Sequence, residues 1–174
     1  LPGTMIVGEE EIEEVERQLI TGIAHDKNEA KITLTAVPDK PGAVASIFTP
    51  LADAAINVDM IIQNQSVEGK TAFTFTVGRG DYQRAMDILT SQVKGHVQAE
   101  QVLGDPKVSK VSVVGVGMRS HVGIASTMFR TLSEEGINIQ MISTSEIKIS
   151  VLIDEKYMEL AVRALHKAFE LDQA

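Results

Sequence analysis

Short runs of alternating apolar and polar residues recur along this chain, and such alternation predicts β-strands with one buried face. The pattern occurs in "KITLTAV" at 31–37, "TAFTFTV" at 71–77, "KVSVVGV" at 110–116 and "EIKISVLI" at 146–153. Two further apolar runs, "INVDMIIQN" at 56–64 and "INIQMISTS" at 137–145, predict two more strands.

Two other segments have helical spacing instead. In "DYQRAMDILTSQV" from Asp81, one face carries Tyr82, Ala85, Met86 and Leu89, as in an amphipathic helix. The segment "EKYMELAVRALHKAF" from Glu155 has the same character. Each of these helices follows the last strand of a β-α-β-β series.

The two series are copies of one another. The first strands match at a constant offset of 79, and after a two-residue insertion the offset becomes 81. At that offset, identical residues pair: Gly42 with Gly123, Phe48 with Phe129, Leu51 with Leu132, Asn57 with Asn138 and Met60 with Met141. The chain therefore contains an internal duplication.

One strand is out of place. The first copy continues into a fourth strand, "HVQAEQVLG" at 96–104, and the second copy has none after its last helix. An apolar segment at 19–26, "LITGIAHD", aligns with that fourth strand at the offset of 79. We therefore predict that this N-terminal strand completes the second copy, with the first copy inserted into it.

The resulting fold class is α+β, with two ferredoxin-like βαββαβ modules side by side. Edge-to-edge pairing of modules would cover sheet edges that a single module leaves exposed. The predicted boundaries are a linker at 1–18, the completing strand at 19–29, the first module at 30–106 and the second at 107–174.

Composition excludes several functions. The net charge of -8 comes with no run among the 16 Lys and Arg residues, so no basic face is available for nucleic acid. No apolar stretch reaches the ~18 residues of a membrane span. The absence of cysteine fits a cytoplasmic protein.

The loop "VPDKPGAVASIF" at 37–48 is a candidate binding site. Pro41 and Gly42 end a strand and open a helix, whose first amides would hold an anion such as an amino-acid carboxylate. Asp39 would then accept from a ligand ammonium group. The alternative is a plain turn in which Asp39 caps the helix.

The equivalent loop of the second copy, "GVGMRSHVGIA" at 115–125, is not a dinucleotide fingerprint because Ser120 replaces its third glycine. The four histidines do not have metal-ligand spacing, so we predict no metal site. The sequence contains no nucleophile elbow, phosphate-binding loop or acid/base pair, so no catalytic residues are predicted. Asn57 and Asn138, predicted to begin the second strands, are either turn residues or part of a ligand cleft.

These segments together resemble the regulatory region of aspartate kinase, a pair of ACT domains found at the C-terminus of the kinase chain or as a separate β subunit. The resemblance rests on "TGIAHDKNEAKITL", "PDKPGAVASIF", "INVDMIIQN", "VSVVGVGMRSHVGIASTMF" and "INIQMISTSEIKISVLI". Of these, "STSEIKISV" and the inserted arrangement are specific to the family.

The resemblance implies allosteric feedback control of aspartate-family amino-acid biosynthesis, without catalysis by this chain. ATP, magnesium and aspartate would bind a kinase domain that this chain lacks, and that domain or an α subunit would be its partner. Lysine, threonine or both would bind at ACT–ACT interfaces of a homodimer, between the first module of one chain and the second of its partner.

The effector contacts implied by the family motifs come from both modules. They are Asp39, Pro41, Gly42, Val44, Gln63 and Asn64 from the first, and Asn138, Ile139, Ser143, Thr144 and Ser145 from the second. Weaker candidates are Ser66, Met118, Arg119 and His121.

Two other function classes compete with this one. Another amino-acid-sensing ACT protein, such as a small subunit of acetohydroxyacid synthase, would lack the "STSEI" turn and the inserted topology. A small enzyme on the same sandwich, such as an acylphosphatase, would need an anion-binding loop with a dedicated Arg and a nearby Asn, which the sequence does not show.

Overall fold

A computed structural model describes residues 20–115 and 122–171 of the 174-residue chain. Contacts divide it into two units. The first module consists of residues 27–109, and the second combines residues 20–26 with the described residues from 110 to 171. The predicted linker at 1–18 lies outside the described residues.

Ten main elements follow one another along the chain. They are β1 (Ile20–Pro38), α1 (Ala43–Asp53), β2 (Val58–Gln63), β3 (Lys70–Val77), α2 (Tyr82–Ile88), β4 (Gln101–Gly115), α3 (Val122–Glu134), β5 (Met141–Thr144), β6 (Lys148–Asp154) and α4 (Met158–Ala168). Short 3-10 turns precede α2 and α4, and a π-helical turn at Leu89–Val93 follows α2.

The strand order shows that the first module is inserted into the second. The first has the order β2-β3-β1-β4, and the second has β1-β4-β6-β5. Because β1 and β4 are each divided between the units, residues 20–26 supply the fourth strand of the second module. Both are the ferredoxin-like βαββαβ arrangement, so the predicted fold class and insertion are confirmed.

Each module buries its own core between helices and sheet. In the first, Ile32, Leu34, Ile47, Leu51 and Phe75 are fully buried. Their second-module counterparts in the duplication are Val111, Val113, Met128, Leu132 and Val151, which are also fully buried. The apolar positions that match between the two copies therefore form the hydrophobic core of each module.

The predicted face of α2 is also confirmed. Ala85 and Leu89 are fully buried, and Tyr82 and Met86 are half-buried against the same core. A helix with its apolar residues three and four positions apart buries one stripe in this way.

A pair of hydroxyl groups bridges neighbouring strands in both copies. Thr33 on β1 and Thr74 on β3 lie 3.0 Å apart, oxygen to oxygen, and are partly buried. Their counterparts Ser112 on β4 and Ser150 on β6 lie 2.7 Å apart and are buried. The duplication has kept this polar contact while changing its side chains and its exposure.

Some predicted boundaries were wrong. The strand predicted at 96–104 begins only at Gln101 because Val93, Val97 and Ala99 pack into the core from the turn after α2. It then continues through the strand predicted at 110–116, as far as Gly115, where the described residues end. Likewise, the segments at 19–29 and 31–37 form one strand, β1, because Ala30 and Lys31 at their junction both pair with β3, opposite Val77 and Thr76.

The two repeated asparagines do not begin strands as predicted. Asn57 lies immediately before β2, and Asn138 lies three residues before β5; both are exposed. Asn is disfavoured in strand interiors and is common in the turns that lead into strands.

Candidate functional site

The loop between β1 and α1 forms an open helix N-terminus in the first module. Gly42 has a left-handed backbone, with φ of 92°, and no side chain caps the first turn of α1. Glycine adopts this conformation without steric cost, which lets the chain turn sharply into the helix. The amide of Ala43 donates to the carbonyl oxygen of Lys40 over 3.2 Å, so the amides that follow it in the first turn, together with the helix dipole, make this end attractive to an anion.

Asp39 is fixed in this loop through its backbone. Its amide donates to the carbonyl oxygen of Gly69 over 2.8 Å, joining the loop to the β2–β3 turn. Its side chain is exposed, and it does not cap α1 as the plain-turn alternative required. Pro41 and Val44 are exposed beside it, with Val44 48% accessible.

The end of β2 lies at the same end of the sheet as this loop. Gln63 pairs with Phe73 of β3, and the amide of Asn64 donates to the carbonyl of Ala72 over 3.0 Å. Thr71 donates its hydroxyl to the carbonyl of Asn64 over 2.6 Å. Thr71 is also the β3 partner of Val37, just before β1 ends. The register of β1, β2 and β3 therefore places Asp39, Gln63 and Asn64 at the same end of the first module's sheet.

The side chains of Gln63 and Asn64 are exposed, while the backbone of Asn64 is held on both sides. Ser66 is half-buried next to the turn, in which Val67 and Lys70 exchange two backbone hydrogen bonds. A fixed backbone with exposed amide side chains can bind a polar ligand with little ordering cost.

In the second module, three candidates form one continuous exposed end. Ser143 and Thr144 pair with Ser150 and Ile149 across β5 and β6. The hydroxyl oxygen of Ser145 accepts from the amides of Ile147 and Lys148 over 3.4 and 3.2 Å. Ser145 therefore stabilises the turn as well as facing solvent.

The other two second-module candidates lie elsewhere. Asn138 and Ile139 precede β5, whereas Ser143 to Ser145 lie at its far end, so about 13 Å of extended chain separates the groups. Asn138 and Ile139 instead line a cavity of about 440 Å³, here called the α3 cavity. Its lining residues are Phe129, Ser133, Gly136, Ile137, Asn138 and Ile139. The weaker candidates Met118, Arg119 and His121 lie outside the described residues.

Comparison with known proteins identifies these modules. Residues 32–93 and residues 111–169 each match the ACT domain family. The aspartokinase of Pseudomonas aeruginosa is 55% identical over 171 residues, which are 98% of this chain and 41% of that protein. The aspartate kinase of Pseudomonas fluorescens is 57% identical over the same length, with the same coverage.

Solved structures of aspartate kinases are similar to this chain as well. A crystal structure of aspartokinase α and β subunits contains a chain that is 62% identical, with a TM-score of 0.82 and coverage of 87% of this chain and 99% of that one. The ligand-free regulatory subunit of aspartate kinase from Thermus thermophilus is 40% identical, with the same TM-score and coverage. The chain belongs to the aspartate kinase family.

Within aspartate kinases, this chain is the regulatory region of two ACT domains. It spans 41% of the length of the curated relatives, yet covers 99% of the Thermus regulatory subunit. The rival interpretations, an acetohydroxyacid synthase type of regulator and an acylphosphatase-like enzyme, are therefore set aside.

Two kinds of feature, a metal-binding cluster and a membrane-spanning helix, are absent from the part of this aspartate kinase region that the structure describes. Among residues 20–115 and 122–171, no three His, Cys, Asp or Glu side chains are grouped to hold a metal ion. Within the same ranges, no helix combines the length and apolar character needed to cross a membrane.

The sequence did not reveal the remaining walls of the α3 cavity. Phe129, Ser133 and Gly136 line it, but none was a candidate. The repeat held a signal, because Ser133 and Gly136 replace Ala52 and Ala55 of the first copy at the offset of 81. All four residues of this segment differ between the copies, ADAA at 52–55 against SEEG at 133–136, so the helix ends are a surface where the copies diverge.

Proposed function

We propose that this chain is the allosteric region through which an aspartate kinase is inhibited by the amino acids of its own pathway. Lysine, threonine or both bind at ACT–ACT interfaces of a homodimer. The kinase domain or α subunit, which phosphorylates aspartate with ATP and magnesium, responds to that binding in the cytoplasm. The observation that carries the proposal is the uncapped N-terminus of α1 beside Asp39.

The ligand chemistry follows from this end of the first module. The α-carboxylate of an amino acid lies against the first amides of α1, where the dipole favours a negative charge. Its ammonium group lies near the exposed carboxylate of Asp39, and the side-chain amides of Gln63 and Asn64 bind its polar atoms. Ser143, Thr144 and Ser145 of the partner chain complete the cleft.

Two edge strands support the homodimer. β2 is the edge of the first module's sheet and β5 the edge of the second. Each carries an exposed isoleucine at equivalent positions of the repeat, Ile61 at 54% and Ile142 at 44% accessibility. An edge strand with free hydrogen-bonding groups and apolar side chains is a surface suited to pairing with another chain.

Effector control then works by linkage. An amino acid that binds one arrangement of the two chains better than another shifts the equilibrium toward it by its difference in affinity. Kinase activity falls because that arrangement holds the catalytic partner in a less active state.

Calorimetric titration of this chain with threonine, lysine and their mixture tests the proposal. Asp39→Asn is expected to weaken binding by about tenfold or more, because it removes the charge that faces the ammonium group. Asp53→Asn is the matched control, since Asp53 is exposed at the opposite end of the same helix. Absence of binding heat with every ligand, or equal effects of the two variants, contradicts the proposed site.

The dimer is tested separately by analytical ultracentrifugation. Ile61→Lys and Ile142→Lys are expected to shift the chain toward monomer, because a buried lysine at a sheet edge opposes pairing. Leu103→Lys is the control, since Leu103 is 50% exposed on β4, which is not an edge strand. A sedimentation profile unchanged by both isoleucine variants contradicts pairing through these edges.

A further inference from the structure

Strand β1 contains one extra residue just before the candidate effector loop. Leu34 pairs with Phe73 of β3. Val37, three positions later, pairs with Thr71, which is only two positions from Phe73. The extra residue makes a β-bulge, and Ala36 within it has a left-handed backbone with φ of 51°.

The bulge changes the face of the sheet to which the following residues belong. Successive residues of a strand point to opposite faces, so Leu34 and Val37, an odd number of positions apart, would face opposite sides of a regular strand. Both are instead fully buried in the core that also contains Ala43 of α1. The extra residue therefore returns the strand to its core face after Leu34.

Asp39 continues this shifted register. Its amide donates to the carbonyl oxygen of Gly69 over 2.8 Å, opposite which the register places it. Asp39 lies two positions after Val37 and therefore belongs to the same face of the sheet, which is the face that α1 covers. Without the bulge, Asp39 would belong to the opposite face, together with Thr33.

Residues at the start of β4 hold the bulge from its other side. The carbonyl oxygen of Thr35 accepts from the amide of Glu100 over 2.9 Å, and its hydroxyl oxygen accepts from the amide of Gln101 over 3.1 Å. The left-handed conformation crowds the Cβ of most residues and is therefore commonest for glycine. The second copy has a glycine, Gly115, at the position equivalent to Ala36. The neighbouring strands thus keep Ala36 in a conformation that alanine disfavours.

We propose that Ala36 is a positioning residue, whose left-handed bulge places Asp39 on the side of α1 and so sets the affinity of the effector site. This inference rests on the effector site proposed above, and Ala36 acts on it without touching the ligand. A substitution that keeps the left-handed backbone keeps the carboxylate beside the first turn of α1. A substitution that abolishes the bulge moves Asp39 to the opposite face of the sheet. The amino-acid concentration that inhibits the kinase changes with that affinity.

Calorimetric titration of Ala36 variants with threonine and lysine tests the inference. Ala36→Val introduces a β-branched side chain that strongly disfavours the left-handed backbone, and it is expected to weaken binding by about tenfold or more. Ala36→Asn adds a side chain of similar size that tolerates this backbone, and Ala36→Gly removes the crowding. Both are expected to bind within about twofold of the wild type. Wild-type affinity in Ala36→Val, or equally weak binding by the Asn and Val variants, overturns the proposal.

Gly104→Ala is the control for a general loss of stability, because its Cβ would meet the ring of Tyr82 in the same module and outside the effector loop. The folded variant is expected to bind with wild-type affinity. Weakening equal to that of Ala36→Val would assign the effect to stability and contradict positioning. If Ala36→Val does not fold, Ala36→Gly decides: we expect wild-type affinity and a urea midpoint no lower than that of the wild type. Binding weakened by about tenfold in Ala36→Gly would contradict the proposal.

Combining Ala36→Val with Asp39→Asn shows whether Ala36 acts through Asp39. Because the bulge acts by placing that carboxylate, the double variant is expected to bind about as weakly as either single variant. Effects that multiply, to about a hundredfold, would show that Ala36 acts by another route and would overturn the proposal. Failure of the wild type to bind threonine or lysine would contradict the effector site itself. Wild-type affinity in a folded Ala36→Val variant would contradict only the role of Ala36.

Discussion

The two modules share a backbone path but finish their exposed ends with different side chains. After the second strand, the first module continues for six residues, 64–69, before β3, and the second needs only 145–147 before β6. The longer turn is closed by two backbone hydrogen bonds between Val67 and Lys70. The shorter one is closed by one backbone bond, from the Ser145 amide to the carbonyl oxygen of Lys148, and by the Ser145 hydroxyl. The core has been preserved, and the exposed turns have changed.

The contrast between similar cores and different turns shows which constraints a duplicated fold retains. Core positions keep their apolar character because any lost volume costs stability in both copies. Helix ends and turns need only satisfy their polar groups, and several side chains do that equally well. A regulator can therefore acquire two unlike binding surfaces without changing its architecture.

The largest expected effect tests whether the two cores are equivalent. Leu51→Ala and Leu132→Ala each remove a fully buried side chain from equivalent helices, and each is expected to lower the free energy of unfolding by about 3 kcal/mol. Urea unfolding followed by circular dichroism measures this. Leu103→Ala, at a 50% exposed position, is the control and should cost less than about 0.5 kcal/mol. A large loss of stability from only one of these two variants would show that the two cores are not equivalent.

A glycine in β4 tests a packing contact of the first module. The ring of Tyr82 occupies the space in which a Cβ at Gly104 would lie, so Gly104→Ala is expected to cost about 2 kcal/mol. Gly22→Ala, where a Cβ meets nothing within 4 Å, should stay within about 0.5 kcal/mol. The aligned second-module residue is His25, which is exposed. Equal melting temperatures of the two variants would show that Tyr82 moves aside.

The bridging hydroxyl pairs should differ in strength between the modules. Ser112→Ala or Ser150→Ala leaves a buried hydroxyl without its partner and is expected to cost about 1–2 kcal/mol. The double variant should cost less than the sum of the two. Thr33→Val and Thr74→Val remove a partly buried pair and should each cost less than about 1 kcal/mol. Additive costs at Ser112 and Ser150 would count against a real hydrogen bond.

The smallest expected effect distinguishes the two turns. Ser145→Ala removes the acceptor for two amides and is expected to lower the free energy of unfolding by about 0.5–1 kcal/mol. Asn64→Ala should change it by less than about 0.5 kcal/mol, because the backbone of Asn64 makes the contacts that hold the turn. Chemical denaturation of both variants measures the difference. A greater loss of stability in Asn64→Ala than in Ser145→Ala would show that a side chain, and not the backbone, holds the first-module turn.

Apolar periodicity and the repeat predicted most of the architecture. Strand alternation, the buried face of α2 and the alignment of residues 19–26 with the fourth strand all depend on local pattern, and the insertion followed from comparing the copies. The joining of strands into β1 and β4 did not follow, because local sequence does not define where a strand ends when a neighbour extends its pairing.

The site was predictable only in part. Register brings Asp39 and Asn64 to one end of the sheet, as the motifs implied. The separation of Asn138 from Ser143 was not foreseen, because it depends on where β5 begins. Burial of polar groups was also missed: Arg79 reaches the carbonyl of Val108 over 2.9 Å through a tertiary contact with no sequence signal.

The division of β1 has a consequence for biosynthesis. Residues 20–26 leave the ribosome before the first module, yet their sheet neighbours in the second module begin only at residue 110. At ~5–20 residues per second, that strand waits several seconds for its partners while residues 27–109 already form a complete core. The second module is thus the first to be started and the last to be finished during translation.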